Sequence, residues 1–388
     1  MPIYLLAFGV SLAVSLALTP LVRRLAYRVG AVVMPHDRKV HERPTPTMGG
    51  LAIFLAVTLS VLACMLALKT LRWGFPRGMW QALCTPETLG IFVSSLMILA
   101  LGAWDDLREL SPMTKLVGQV VAVLTMISFG VEIRSVSFIR GSTIDLSGSP
   151  LASLLLTLLW MVAFINIINL IDGLDGLAAG VVLISSLAFL AYGSLSEQGQ
   201  SLLQAMLIAA ALGGSTLGFL FYNFNPASIF MGDSGALFLG FTLGALSIQG
   251  ILKRAAVATL FPPLIILAVP IADTVLAIVR RMRGRRPVHH ADKEHIHHRL
   301  LYLGHSQKQA VLLIYLWTGL LTAVALTLEF SSSKLIFLLL LLITTASLLL
   351  SVLPRFLKAR RQEDYLRDLA EEEGLSAGEA GCGEEPCS

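Results

Sequence analysis

Apolar runs close to the ~20 residues that a helix needs to cross a bilayer recur along almost the whole chain, parted by short polar segments. About eleven can be drawn, near residues 3–22, 48–68, 87–104, 113–130, 151–170, 175–193, 202–222, 234–250, 255–279, 309–328 and 335–353. The pattern predicts an all-α polytopic membrane protein, with one transmembrane catalytic domain over 1–354 and a charged cytoplasmic tail over 355–388. One stretch breaks the helical period. Between Val131 and Leu146 the chain alternates as VEIRSVSF, turns at RGS and alternates again as TIDL, which predicts a small external β-hairpin. The tail opens on Arg355, Lys358, Arg360 and Arg361 and then becomes acidic and glycine-rich, as expected of a short helix passing into disorder. No repeat of 20 to 50 residues stands out, so neither a solenoid nor an inverted-repeat transporter is claimed.

Composition agrees with the pattern. Hydrophobic residues make up 55% of the chain and charged residues 14%, and the mean hydropathy is +0.77. The placement of charge says more than its sum. An odd number of spans puts the termini on opposite sides, and with the N-terminus outside most of the 29 Lys and Arg residues fall on the cytoplasmic side. The first apolar run has no positive charge before it and Arg23, Arg24 and Arg28 after it, which reads as a span and not as a cleavable signal. A net charge of +4 gives no reason to invoke nucleic acid. The four cysteines form no CxxC pair and no disulfide framework.

This topology sends every polar cluster to the cytoplasmic side, which predicts a cytoplasmic cleft. The clusters are PHDRKVHERPTPTMGG at 35–50, DDLRELSPMTK at 105–115, NIINLIDGLDGL at 166–177, NFNPASIFMGDSG at 223–235 and a His-rich loop over 281–308. Asp105 and Asp106 end the third span, Asp172 and Asp175 lie between the fifth and sixth, and Asp233 opens the eighth. If the 172–175 segment is helical, its two carboxylates share one face. Five carboxylates meeting at a membrane surface repel one another, and a hard divalent cation shared with substrate phosphates relieves that conflict. The plainer reading of each is a helix-end acid in interfacial water, and for Asp233 an ordinary N-cap whose helix end also attracts phosphate. Lys115 faces the same compartment as the Asp pair, either to neutralise a bound anion or merely to snorkel. Lys39 and His41 lie in a basic loop that serves equally as a positive-inside anchor. His295, His298 and Arg299 share one helical face suited to phosphate oxygens, with His297 beside them; zinc or simple solvation are the rival readings. Asp273, inside the ninth span, is either a structural partner or a supporting acid.

The segments DRKVHERPTPTMGG, Asp105-Asp106, NLIDGLDGLAAG, FMGDSGA and DKEHIHHRL, in this order over residues 35–305, resemble the polyprenyl-phosphate N-acetylhexosamine-1-phosphate transferases. Within them HIHHRL and GDSGA look like the UDP-N-acetylglucosamine branch; the muramoyl-pentapeptide branch typically carries a three-His run and GDTGS. The resemblance implies transfer of N-acetylglucosamine-1-phosphate from UDP-N-acetylglucosamine to undecaprenyl phosphate with release of UMP. That would be the first membrane step of a cell-surface polysaccharide pathway in a bacterial inner membrane. It also implies Mg2+ or Mn2+ as cofactor and a helical, often homodimeric fold. Carried over by position, Asp233 is a metal ligand, and Asp105 and Asp106 act at the metal and the lipid phosphate. Lys115 binds phosphate, while Asn169, Asp172 and Asp175 serve the nucleotide and the metal. Lys39, His41, His295, His297, His298 and Arg299 fall on the substrate side. The alternatives are the same reaction with another donor, such as UDP-muramoyl-pentapeptide, or a membrane transporter.

Overall fold

The computed structural model describes residues 2–34, 44–70, 83–137, 143–195, 202–252, 300–330 and 335–347, together with 268, 271, 272 and 349. In chain order the described elements are α1 (Pro2–Val29), β1 (Val32–Val33), β2 (Thr45–Pro46), α2 (Gly50–Thr70), α3 (Pro86–Leu107) and α4 (Pro112–Ser128). There follow β3 (Ser135–Ser137), β4 (Thr143–Asp145), α5 (Pro150–Ile171), α6 (Leu177–Leu195), α7 (Leu203–Asn223), α8 (Gly232–Leu252) and α9 (Gln307–Phe330). A shorter apolar helix, α10, covers Leu335–Ser347. Seven of these, α1, α2, α3, α5, α6, α7 and α9, are long and apolar enough to cross a membrane. The chain is an all-α polytopic membrane protein. Nearly all of the expected ninth span, the hairpin turn, the end of the eleventh span and the tail lie outside the described residues.

Burial is arranged for a hydrocarbon solvent. Leu159 and Phe221 stand 70% and 71% exposed, while Ser11, Ser15 and Thr19 are wholly buried in the packing face of α1. That face is built from small residues. A side chain at Gly214 would strike the main chain of Phe8, and a Cβ at Gly218 would come within 2.8 Å of the Leu12 carbonyl oxygen. The backbones of α1 and α7 therefore lie close, and the Ser15 hydroxyl donates across them to the Ser215 carbonyl (2.8 Å).

The same device assembles the polar end of the bundle. A Cβ at Gly102 of α3 would come within 2.5 Å of both the Asp233 carbonyl oxygen and the Ser234 amide nitrogen, and Gly50 of α2 lies against the main chain of Gly235. Missing side chains thus let three helix ends meet. Between α1 and α2, β1 pairs antiparallel with β2, Val32 opposite Pro46. The Phe230 amide then donates to the Pro46 carbonyl (2.8 Å), and the Gly49 and Gly50 amides donate to Phe230 and Met231 (3.0 Å each). Two-residue strands carry too little alternation to be read in sequence. The expected hairpin is present as β3 and β4, with Val136 opposite Ile144.

A valine at Gly102 must push on backbone that has nowhere to go. Gly102→Val is expected to lower stability by about 1–3 kcal/mol, the usual cost of overpacking. Gly319→Ala, with nothing within 4 Å of the new Cβ, is the matched control; thermal unfolding of both in detergent checks the difference.

Candidate active site

Asp105 and Asp106 end α3, and their neighbours show how differently two adjacent carboxylates are used. Asp106 turns toward α8. Its Oδ1 accepts from the Asp233 amide (2.8 Å) and the Thr47 hydroxyl (3.3 Å), and its Oδ2 accepts from the Ser234 amide (3.2 Å). It caps the N-terminus of α8 from another helix. The reading of Asp233 as its own helix's N-cap is therefore corrected, and the two amides expected to welcome phosphate are already taken. Gly232, with φ of +69°, makes this possible, because any side chain there would collide with the Asp106 carboxylate and Thr47.

Asp105 turns toward α4. Its Oδ1 accepts from the Leu110 amide (2.7 Å), and its Oδ2 lies 2.5 Å from the Lys115 ammonium. Lys115 sits in the first turn of α4, which Ser111 caps by accepting from the Thr114 amide and which Pro112 opens. The same ammonium donates to Asp233 Oδ2 (2.5 Å). Asp233 Oδ1 accepts from the side-chain amide of Asn169 (2.9 Å), in the last turn of α5. Asp105, Lys115, Asp233 and Asn169 thus form a continuous chain across α3, α4, α8 and α5, with Asp106 fixing the helix that carries Asp233.

The 172–175 segment is not helical, which corrects the expectation that its two carboxylates share a face. Asp172 is the C-cap of α5; Gly173 and Gly176 flank a turn in which Gly176 has φ of +80° and Leu174 is buried. The two carboxylates consequently part. Asp175 Oδ2 accepts from the Asn225 side chain and the Ala227 amide (3.0 Å each), and Asn225 also donates to Gln307 on α9 (2.6 Å). Asp175 therefore holds the 225–227 loop to the turn. The Asp172 carboxylate instead has no hydrogen-bonding or ionic partner among the described residues. Burial, followed by the charges of Asp233, Asp106 and Asp175, pushes its carboxyl up to about 8.

That shift has a sign for stability. The folded protein binds the proton more tightly than the unfolded chain, so the Asp172 contribution is most favourable below the ordinary carboxylate value of 3.8 and is lost as pH rises toward about 8. Asp172→Asn is expected to flatten the decline of thermal stability between those limits in the absence of divalent cation, as a pH series of unfolding midpoints reads directly.

The structure also brings in residues that the sequence reading passed over. Gln119 on α4 and Asn166 on α5 exchange side-chain amide hydrogen bonds (2.7 and 3.4 Å), one turn below Lys115 and Asn169. Asn223 donates to the Ile229 carbonyl (3.0 Å) and accepts from the Gly176 amide (3.1 Å), tying the α7 end to the turn. The Tyr315 hydroxyl donates to the Gly176 carbonyl (2.5 Å). Amides placed inside otherwise apolar helices were the available signal. Lys39, His41, His295, His297, His298, Arg299 and Asp273 lie outside the described residues.

The glycosyl transferase family 4 profile matches residues 88–251, which contain all of the carboxylates just described. A probable undecaprenyl-phosphate N-acetylglucosaminyl 1-phosphate transferase of Bacillus subtilis (strain 168) is 40% identical over 325 residues, 83% of this chain and 84% of the relative. A decaprenyl-phosphate N-acetylglucosaminephosphotransferase of Mycolicibacterium smegmatis is 38% identical over 316 residues, 77% and 76% of the two chains. A phospho-N-acetylmuramoyl-pentapeptide-transferase of Lactiplantibacillus plantarum is 33% identical over 283 residues, 68% and 81% of the two chains. The chain belongs to glycosyl transferase family 4, as a polytopic membrane enzyme. Within the family it is more similar to these two N-acetylglucosamine 1-phosphate enzymes than to that muramoyl-pentapeptide enzyme.

Proposed function

We propose that this protein transfers N-acetylglucosamine-1-phosphate from UDP-N-acetylglucosamine to undecaprenyl phosphate, releasing UMP, at the cytoplasmic face of a bacterial inner membrane. The observation that carries the reading is the Asp105–Lys115–Asp233–Asn169 chain at one end of α3, α4, α8 and α5. A site at helix ends admits a soluble nucleotide sugar from water and a lipid phosphate from the bilayer. A transporter instead places its polar groups near the bilayer midplane on broken helices.

Both substrates are anionic, so charge neutralisation and alignment are the main demands on the protein. Lys115 meets part of that demand by placing its ammonium where phosphate oxygens must come. The lipid phosphate, with a second pKa near ~6, is already largely dianionic at neutral pH and needs little help from a base. Asp106, whose oxygens accept from three donors, serves as the group that positions Asp233. Asp105, held by the Leu110 amide and Lys115, orients the ammonium. Direct attack of the lipid phosphate on the phosphorus bearing the sugar is therefore favoured over a route through an aspartyl-phosphate.

Mg2+ fits the donor chemistry. Asp105, Asp172 and Asp233 supply hard oxygens, and the Asp172 carboxylate has no partner of its own among the described residues. No three such side chains converge on one point among the described residues, but Mg2+ is commonly held by one or two carboxylates with substrate phosphates completing its shell. Asp233 with Asp172 would hold it, with Asp105 next in reach. Asp175, expected as a third ligand, commits its Oδ2 to the 225–227 loop. Such an ion would offset the charge of the diphosphate and of the departing UMP.

The reading is tested by UMP release from purified protein in nanodiscs with undecaprenyl phosphate, Mg2+ and either UDP-N-acetylglucosamine or UDP-muramoyl-pentapeptide. Release with the first donor alone is expected. Release with the second alone moves the protein to the other branch, and release with neither from folded protein refutes the activity.

A further inference from the structure

Away from the carboxylates, α2 and α3 splay apart and leave a cavity of about 690 Å³ between them, closed behind by α8 and Ile208 of α7. Three rings crowd its inner end beside Ser95. Phe54 packs edge-on against Phe238, centroids 5.3 Å apart, and stacks on Phe92 at 6.1 Å. From that end the cavity runs along α2 to Met65 and along α3 back to Pro86. Eleven residues of helix rise roughly 16 Å, about half of a ~30 Å hydrocarbon core. At the outer lip, Leu62 and Leu89 are 54% and 52% exposed to the bilayer.

Water has few open partners in this space, because four of its five lining hydroxyls, all but that of Thr58, are already engaged. The Ser95 hydroxyl donates to the Phe92 carbonyl and the Thr242 hydroxyl to the Phe238 carbonyl, each 2.8 Å away within its own helix. Thr85 and Thr88 at the mouth share a hydrogen bond between their hydroxyls (3.2 Å). A buried water needs two to four polar partners, whereas an apolar cavity of roughly 150 Å³ stays dry and admits benzene. A space more than four times that size, open to lipid, fills with hydrocarbon.

We propose that this cavity is a binding site for one acyl chain of a membrane phospholipid, which enters from the leaflet opposite the carboxylate group. Its depth matches a single leaflet. The lining also ends at Phe54 on α2 and Ser95 on α3, roughly 15 Å of helix short of Asp105, where a lipid phosphate must react, so the occupant is not the acceptor's polyprenyl tail. Bound there, the chain takes the place of the direct packing that α2 and α3 lack along this stretch. That hydrocarbon fills the cavity rests on the membrane-spanning fold alone, while the choice of a phospholipid over the acceptor's tail rests on the transferase reading.

The test uses the full-length protein in nanodiscs of phosphatidylglycerol containing a trace of the same lipid with a diazirine at mid-chain. After photolysis and peptide mapping, adducts are expected on residues 57–65 of α2 and 86–95 of α3. Ser95→Phe, which fills the cavity from α3, is expected to lose those adducts while keeping adducts on the lipid-facing Leu155 and Leu159 of α5 and retaining UMP release. Val61→Phe fills it from α2 and serves if the first variant does not fold. Stripping lipid with detergent is expected to lower the unfolding midpoint of the parent more than that of either filled variant. Adducts that persist in the filled variants, or labelling of the cavity by a diazirine polyprenyl phosphate in preference to the phospholipid, would overturn the proposal.

Discussion

Asp233→Asn is expected to cut UMP release from UDP-N-acetylglucosamine by at least about a hundred-fold, the scale seen when one electrostatic partner is removed from a preorganised site. The variant is informative because the surrounding fold can accept it. Asp233 receives Asn169 on one oxygen and Lys115 on the other. An asparagine in the same place keeps its carbonyl toward Lys115 and turns its amide toward Asn169, whose own amide can rotate to present its oxygen. Packing and hydrogen bonds persist, and one negative charge is gone. The cap on α8 is untouched, since Asp106 binds the main-chain amide of residue 233 and not its side chain. An unfolding midpoint close to the parent's, together with the loss of turnover, would assign the effect to charge. Turnover within a few-fold of the parent would remove Asp233 from the centre of the reaction.

What could be read from sequence follows from what each feature depends on. Helices such as α1 and α5 were legible because a membrane span is announced by its own composition, and the hairpin at β3 and β4 by its own alternation. The carboxylates Asp105, Asp106, Asp172 and Asp233 were legible as a group because acids are scarce in such a chain. Their division of labour was not. That Asp106 caps α8 while Asp105 meets Lys115 depends on how closely α3 approaches α8, which Gly102 and Gly232 permit and which no local period encodes. The separation of Asp172 from Asp175 likewise turns on the left-handed Gly176 and on Asn225, a residue more than 40 positions away in the chain. The Gln119–Asn166 pair was missed for a similar reason, since two amides on different helices carry no common spacing.

Lys115→Met is expected to lower turnover by about a hundred-fold to a thousand-fold, with Lys115→Arg between it and the parent. Asp105 Oδ2 and Asp233 Oδ2 each lie 2.5 Å from the ammonium nitrogen, so they stand no more than 5 Å from each other. At an effective dielectric constant of about 20, two such charges repel by roughly 3 kcal/mol, less where solvent reaches them. Arginine restores the charge but not the fit, because a planar fork cannot place one nitrogen between both oxygens as a compact ammonium does. The two largest effects then separate on a second readout. Asp233→Asn removes a negative charge and should weaken Mn2+ binding followed by electron paramagnetic resonance. Lys115→Met removes the cation that the two carboxylates share and should strengthen it, although both variants are nearly inactive. If Lys115→Met instead weakened Mn2+ binding, the ammonium and the metal would not be competing for the same oxygens. The place of the ion at Asp233 would then have to be given up.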